Sequence, residues 1–328
     1  MERITMKAAV QRRFGGPEVV QVEHVPAPVP KPDELLVRVH ASTVSVADHR
    51  TRSRDLPKGL WFYGPIALGL FRPRRPVLGM DVAGVVEAVG DEVTGFAPGD
   101  EVIAMLGGDF GGHAEYARIP QTKAIAKKPR NLDMGDAAAL VFGGHTALAY
   151  LDHVELGPGS EVLVNGASGA VGTAAVQLAK QRGATVTAVC SGRHADLVSS
   201  LGADRVIDRT REDFTADGAQ YDVIVECGGD APFERVEHSL KPGGALLLVI
   251  ADLHGMLTAS RHARRSGKLV TFVGTPVSHE DLAGLSRLAE EGSFRPVVDR
   301  SYDLDDIAEA HRYVDSGRKA GNVVLRIP

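Results

Sequence analysis

Short apolar runs punctuated by glycine and proline fill the first third of the chain. Residues 19–25, 34–39, 82–89, 101–105 and 114–119 each read as strands, separated by Gly79, Gly90, Gly95, Pro98, Gly99 and Gly111. No long helical period interrupts them, so residues 1–128 are expected to form a compact β domain. Residues 52–76 are irregular and carry Trp61, Phe62, Tyr63 and Phe71 beside Arg72, Arg74 and Arg75. A stretch of that length reads either as a lid or pocket wall, or as a packed surface loop with a solvated basic rim.

From Asn131 the period changes. Residues 137–152 read as a helix with an interruption at Gly143-Gly144, and strands then alternate with helices: strands at 161–164, 184–189, 205–207, 222–226, 244–250 and 268–273, helices at 233–240 and 257–265. Alternation of this kind specifies a doubly wound parallel sheet, an α/β domain over residues 129–274. Ser278 with Asp281, and Asp303 with Asp306, suit the starts of two more helices; strands at 296–300 and 322–327 would return residues 275–328 to the first domain.

The first strand–helix–strand unit carries the clearest chemistry. Gly166, Gly169 and Gly172 give the dinucleotide pattern Gly-x-Gly-x-x-Gly with Ala167 in its first slot, between an apolar strand and a helix marked by Val171, Ala174, Ala175 and Leu178. Gly169 lets backbone approach a pyrophosphate, Gly172 lets helix pack on strand, and the N–H groups of the turn from Gly166 through Ser168, Ala170 and Val171 face the anion. An NAD site usually has an acid about 20 residues on, for the ribose hydroxyl. Here the second strand ends at Cys190, Ser191, Gly192, Arg193 with no acid. Ser191 and Arg193 suit a 2′-phosphate, so NADPH is the expected cofactor. Ligands lie off the carboxyl ends of such strands, which places Cys227, Gly228, Ile250 and Ala251, with Asp252, toward the nicotinamide half.

Composition narrows the class. At 328 residues the chain holds two domains with full cores, and its 44% hydrophobic and 24% charged content is ordinary for a globular protein. A net charge of −5 gives no general attraction for nucleic acid or anionic membrane. The two cysteines, Cys190 and Cys227, read as reduced core thiols, and the charged N-terminus has no apolar signal segment, so a cytoplasmic protein is expected.

Three segments, residues 79–102, 163–180 and 201–214, resemble the medium-chain dehydrogenase/reductase superfamily, the first of them, GMDVAGVVEAVGDEVTGFAPGDEV, being the most diagnostic. The resemblance covers nearly the whole chain. It implies a GroES-like β domain interrupted by a Rossmann domain, with substrate in the cleft between them, and often a homodimer, for which residues 246–250 read as an edge strand that pairs between subunits. The positions matching the catalytic zinc ligands of that superfamily are Ser45, Met80 and Phe142, none of them a good zinc ligand, and the cysteine-rich structural zinc lobe is missing. The chain is therefore similar to the zinc-independent, quinone-oxidoreductase-like branch, with its zeta-crystallin relatives and enoyl reductases, and no metal is expected. Within that branch it departs at Ser45-Val46-Ala47-Asp48, where an Asn-x-x-Asp element is common, and at Arg50 in place of a tyrosine. The resemblance also implies cofactor contacts from Thr146 and Arg209.

Without a metal, and with no lysine four residues after any of the six tyrosines, carbonyl reduction lacks an evident electrophile. A quinone or conjugated enone asks less, because charge collects on a delocalised oxygen and positioning with one or two hydrogen bonds suffices. Ser45, Asp48 and Tyr63 are the candidates to line that pocket, each equally readable as an ordinary polar loop residue. The expected function is NADPH-dependent reduction of such a substrate. Rival readings are a metal-free NADP-dependent alcohol dehydrogenase or carbonyl reductase, a non-catalytic NADPH-binding protein, and a hydrolase. The last rests on the sequence around Ser168, which fails the nucleophile-elbow pattern at Ala170.

Overall fold

The computed structural model describes residues 5–328. The charged N-terminal stretch therefore begins, at residues 1–4, outside the described residues. In chain order the first elements are β1 (Thr5–Gln11), β2 (Val20–Pro26), β3 (Glu34–Thr43), α1 (Val46–Ser53), α2 (Gly64–Ala67), β4 (Asp81–Val89), β5 (Glu101–Met105), β6 (Tyr116–Pro120), β7 (Ile125–Lys127) and α3 (Met134–Leu151). The parallel region follows with β8 (Glu161–Asn165), α4 (Ala170–Gln181), β9 (Thr185–Cys190), α5 (Ala195–Ser200), β10 (Arg205–Asp208), β11 (Tyr221–Glu226), α6 (Phe233–Val236), β12 (Leu240–Leu248), α7 (Leu253–Ser266) and β13 (Leu269–Thr271). The chain ends with α8 (His279–Glu290), β14 (Val298–Asp303), α9 (Ile307–Asp315) and β15 (Asn322–Arg326).

Two units result. The first takes residues through Leu56, Trp61–Phe142 and Ser278–Pro328; the second takes Pro57–Leu60 and Gly143–Val277. In the first, a seven-stranded sheet runs β14-β15-β3-β4-β5-β7 with β6 also on β3, and β1 pairs antiparallel with β2. This is the GroES-like sheet domain. Alternation explains its core: Leu35, Val37 and Val39 of β3 are buried while Arg38 between them is exposed. They pack with Val82, Val86, Ile119, Leu304 and Ile307.

In the second unit a six-stranded parallel sheet has the order β10-β9-β8-β11-β12-β13. Numbered within this sheet, that is 3-2-1-4-5-6, the Rossmann order, and it reverses between β8 and β11. Strands such as Val162–Val164 and Val223–Val225 are buried on both faces, as a covered parallel sheet requires.

Several local expectations change. α1 interrupts the β region although its sequence, VADHRTRS, is polar; a capping box and a buried arginine hold it, features that hydrophobic period does not register. Arg52 accordingly lies in that helix and not in an irregular loop. The Gly143-Gly144 pair does not interrupt α3. A Cβ at Gly143 would sit 2.4 Å from the Ala170 carbonyl oxygen, so this glycine serves close approach to the first turn of α4. β12 is hydrogen-bonded on both sides, by β11 and β13, and is not an edge; residues 246–250 offer no strand for subunit pairing. Ser278 and Asp281 do form the expected capping box, whereas Asp303 spends its carboxylate on Arg326 at 2.8 Å and caps nothing. Trp61, Phe62, Ile66, Leu70 and Phe71 are exposed. Among the described residues no helix is long and apolar enough to cross a membrane.

Candidate functional site

The glycine turn sits at the switch point of the parallel sheet. Gly166 takes a positive φ of 77°, and its N–H and that of Ala167 both donate to the Val189 carbonyl at 3.0 Å. A Cβ on Gly172 would lie 2.2 Å from the Gly166 carbonyl oxygen and 2.7 Å from the Ala167 Cα, so only glycine lets α4 seat against the turn. Gly169 differs. It is the N-cap of α4 with no side-chain cap, and a Cβ there would meet nothing nearer than the Gly166 oxygen at 3.5 Å. The turn thus presents the uncapped first-turn N–H groups of a twelve-residue helix beside an open glycine face. Ser168 and Val171 are half-buried in this turn, with Ala170 buried beside them.

At the carboxyl end of β9, Ser191 is half-buried and Arg193 exposed, its Nε donating to His194 Nε2 at 3.1 Å. Arg209 is exposed one residue past β10, its amide bonded to the Cys190 carbonyl at 2.9 Å. Ser191, Arg193 and Arg209 therefore share one sheet corner. The sequence reading missed Asp208 there. As last residue of β10 it lies in register with Cys190, and its Oδ1 accepts from the Gly192 N–H at 2.9 Å. The Thr210 amide and hydroxyl hold this carboxylate below its ordinary pKa. A search for an acid confined to the end of β9 passes over it, because the neighbouring strand supplies it.

The end of β11 holds a second polar group. Asn165 Nδ2 donates to Glu226 Oε2 and to Asp230 Oδ1, each at 2.7 Å, and the Gly229 N–H donates to Glu226 Oε1. Burial pushes the Glu226 carboxyl up to about 7, against the pull of these donors. Cys227, whose amide bonds the Asn165 carbonyl at 2.9 Å, has its thiol pKa raised by desolvation, which leaves it a poor nucleophile. Gly228 lies against Gly166: a Cβ on Gly166 would come within 3.0 Å of the Gly228 nitrogen. Ile250 is half-buried against Gly229, Ala251 is buried, and Asp252 caps α7 by accepting from the Gly255 N–H at 2.8 Å. Thr146 is half-buried on α3. The structure brings Gly166, Cys227 and Gly228 together, and holds Ser191, Arg193 and Arg209 at another corner of the same sheet.

In the first unit Ser45 and Asp48 form one motif. Asp48 is fully buried and accepts from the Ser45 N–H at 2.8 Å, the Ser45 hydroxyl at 2.6 Å and the Gly79 N–H at 2.9 Å. The pair caps α1 and ties it to the loop before β4. Tyr63 is not brought to them by any hydrogen bond; it is 54% exposed at the start of α2. Asp81, another residue the sequence reading missed, accepts from the Thr43 amide at 2.7 Å and hydroxyl at 2.5 Å, and burial, with nearby Asp48, raises it to about 7. Its only sequence signal is an acid opening an apolar strand.

These residues do not suit a catalytic zinc. Ser45 gives its hydroxyl to Asp48, and Met80 and Phe142 offer neither thiolate, imidazole nor carboxylate.

Two family models match the chain: one described as an alcohol dehydrogenase GroES-like domain, over residues 31–130, and one described as a zinc-binding dehydrogenase, over residues 201–325. A chloroplastic quinone oxidoreductase of Triphysaria versicolor is 31% identical over 340 residues, covering 98% of each chain. A chloroplastic NADPH-dependent alkenal/one oxidoreductase of Arabidopsis thaliana is 32% identical over 336 residues, covering 98% of this chain and 79% of its own. Among solved structures, a quinone oxidoreductase from Coxiella burnetii aligns over 99% of this chain and 100% of its own, with a TM-score of 0.84 and 28% identity.

Proposed function

Since the chain belongs to the medium-chain dehydrogenase/reductase superfamily, in its zinc-independent, quinone-oxidoreductase-like branch, we propose that this oxidoreductase reduces a quinone or the conjugated C=C of an α,β-unsaturated carbonyl with NADPH. The observation that carries the reading is the turn at Gly166–Val171, where a Cβ at Gly169 would meet no atom closer than the Gly166 oxygen at 3.5 Å and α4 begins uncapped. Bound there, the cofactor supplies hydride.

The chain's own residues do the rest by position and charge. The N–H groups opening α4 hold the pyrophosphate, Gly166, Cys227 and Gly228 shape the floor at the switch point, and Ile250, Ala251 and Thr146 bound the nicotinamide half. Asp48 fixes α1 against Gly79, so that Ser45 and the start of that helix keep one geometry; Tyr63 is the pocket candidate on the exposed segment. An acceptor of this class spreads its developing charge over a conjugated oxygen, and so needs few donors and no metal.

NADPH is proposed over NADH because Arg193 and Arg209 can pair with a 2′-phosphate. Asp208, which accepts from the Gly192 N–H, works against both through its own charge. Arg193→Ala is expected to weaken NADPH by about 1–3 kcal/mol, with little change for NADH. Equal losses in the two titrations would refute the role. Cytoplasmic residence and a homodimer complete the proposal, the first supported by two unpaired cysteines.

The decisive experiment follows NADPH oxidation by chelator-treated protein against an ortho-quinone, a para-quinone, a 2-alkenal, an enone and a saturated ketone. Turnover of the quinones or conjugated carbonyls, with the saturated ketone inert, is expected. Turnover of the ketone alone would make it a carbonyl reductase, and tight NADPH binding with no turnover would make it a binding protein.

A further inference from the structure

Away from the glycine turn, α6 and α7 bring three residues together that no sequence spacing announces. His254 and His262 are eight residues apart on α7, a little over two turns, and so share one face of that helix. Glu234, on α6, reaches between them. Its Oε1 lies 3.2 Å from His254 Nε2 and 3.0 Å from His262 Nε2, and the three possible ligand atoms all fall within 4.8 Å of one another. With metal–ligand bonds of about 2.0–2.1 Å, ligand atoms of a tetrahedral zinc site sit roughly 3.3 Å apart. A small closing movement brings all three to one point.

A simple ion pair accounts poorly for His262. The residue is only 7% exposed and its ring lies against Phe233, with centroids 4.6 Å apart. Neither ring nitrogen makes a directed hydrogen bond, although Nε2 is so close to the carboxylate. A short approach without hydrogen-bond direction is what results when a lone pair points to a spot beside the oxygen. Two imidazoles converging on one carboxylate oxygen also leave a common focus that a cation would satisfy. His254 and Glu234 are exposed, so that focus is open to solvent on one side.

We propose that Glu234, His254 and His262 form a transition-metal site that takes Zn²⁺ through two imidazoles and one carboxylate, with water as fourth ligand. Two nitrogens and one oxygen suit zinc, and by the general affinity order also Cu²⁺ and Ni²⁺. The buried His262 is the fixed ligand and the exposed pair closes on it. None of the three is at Ser45, Met80 or Phe142, where the superfamily holds its catalytic zinc, so this site is distinct from that one. It staples α6 to α7, the helices next to the ends of β11 and β12.

The test uses tag-free, chelator-stripped protein, titrated with Zn²⁺ by calorimetry and by thermal unfolding, and with Co²⁺ by visible absorption. One Zn²⁺ per chain should bind, the melting temperature should climb with Zn²⁺ concentration, and bound Co²⁺ should show the intense bands of a four-coordinate ion. Loss of an outer-shell partner already costs metal sites about 10- to 100-fold, so Glu234→Gln and His254→Ala should each weaken Zn²⁺ by at least about tenfold. Both positions are exposed, and unchanged melting without metal would confirm intact folding. Absence of a stoichiometric site, or binding that survives undiminished in both folded variants, would overturn the proposal.

Discussion

Valine in place of Gly169 should abolish useful NADPH binding, raising Kd by at least about 100-fold, or roughly 3 kcal/mol, while leaving the protein folded. The contrast with Gly172 shows why. A side chain at Gly172 collides with the Gly166 carbonyl oxygen and the Ala167 backbone inside the protein, whereas one at Gly169 meets no atom nearer than 3.5 Å. Gly169 is the N-cap of α4, so the added bulk would stand at the mouth of the first-turn N–H groups, where a pyrophosphate is expected. Circular dichroism and melting like wild type, together with lost NADPH fluorescence enhancement, is the expected pair of results. Undiminished affinity in the folded variant would mean that the dinucleotide lies elsewhere.

The largest expected effect on stability comes from Asp315→Ala, which should cost on the order of 3–5 kcal/mol. Arg52 is fully buried, and one of its amino nitrogens donates to both Asp315 oxygens, at 2.7 and 2.6 Å, while the other reaches the Gly15 carbonyl at 3.0 Å. The same carboxylate also takes His49 Nδ1 at 2.6 Å. Without Asp315 the guanidinium of Arg52 stays buried with no anion beside it. Arg52→Met should cost less, because the carboxylate left behind is about one-quarter exposed and keeps His49. The double variant should recover much of the loss of Asp315→Ala, as paired removal of buried charges commonly does. Urea denaturation of the three variants checks the order; a harmless Asp315→Ala would show that the pair contributes nothing.

The parallel unit was readable because its strands are buried on both faces and its glycines have geometric duties that few other residues can fill. Ser278 and Asp281 were legible for a similar reason: capping chemistry is local. What escaped was non-local. α1 has no apolar stripe, and its stability depends on Arg52 meeting a carboxylate 263 residues away. Asp208 reaches the end of β9 only through the parallel register of two strands. Asn165, Glu226 and Asp230 converge across adjacent strand ends, which no linear spacing reveals. Ser45 and Asp48 are expected to line the pocket, and their hydroxyl–carboxylate contact is a helix cap, a reading that needs the backbone around them. Tyr63, expected to line the same pocket, is exposed at the start of α2.

The pairing of β15 with β3 fixes an order of events during synthesis. Thr43 lies opposite Val324, whereas every strand of the parallel sheet falls between Glu161 and Thr271. A ribosome releases the whole Rossmann sheet while the last strand of the other sheet is still untranslated. β6 covers that edge of β3 early, but only over residues 34–38, so residues 41–43 must wait unpaired through the synthesis of more than half the protein, an interval in which a nascent chain is open to misassociation. Translation speed past the parallel unit, and any chaperone that meets the emerging chain, bear on the yield of the GroES-like unit more than on that of its partner.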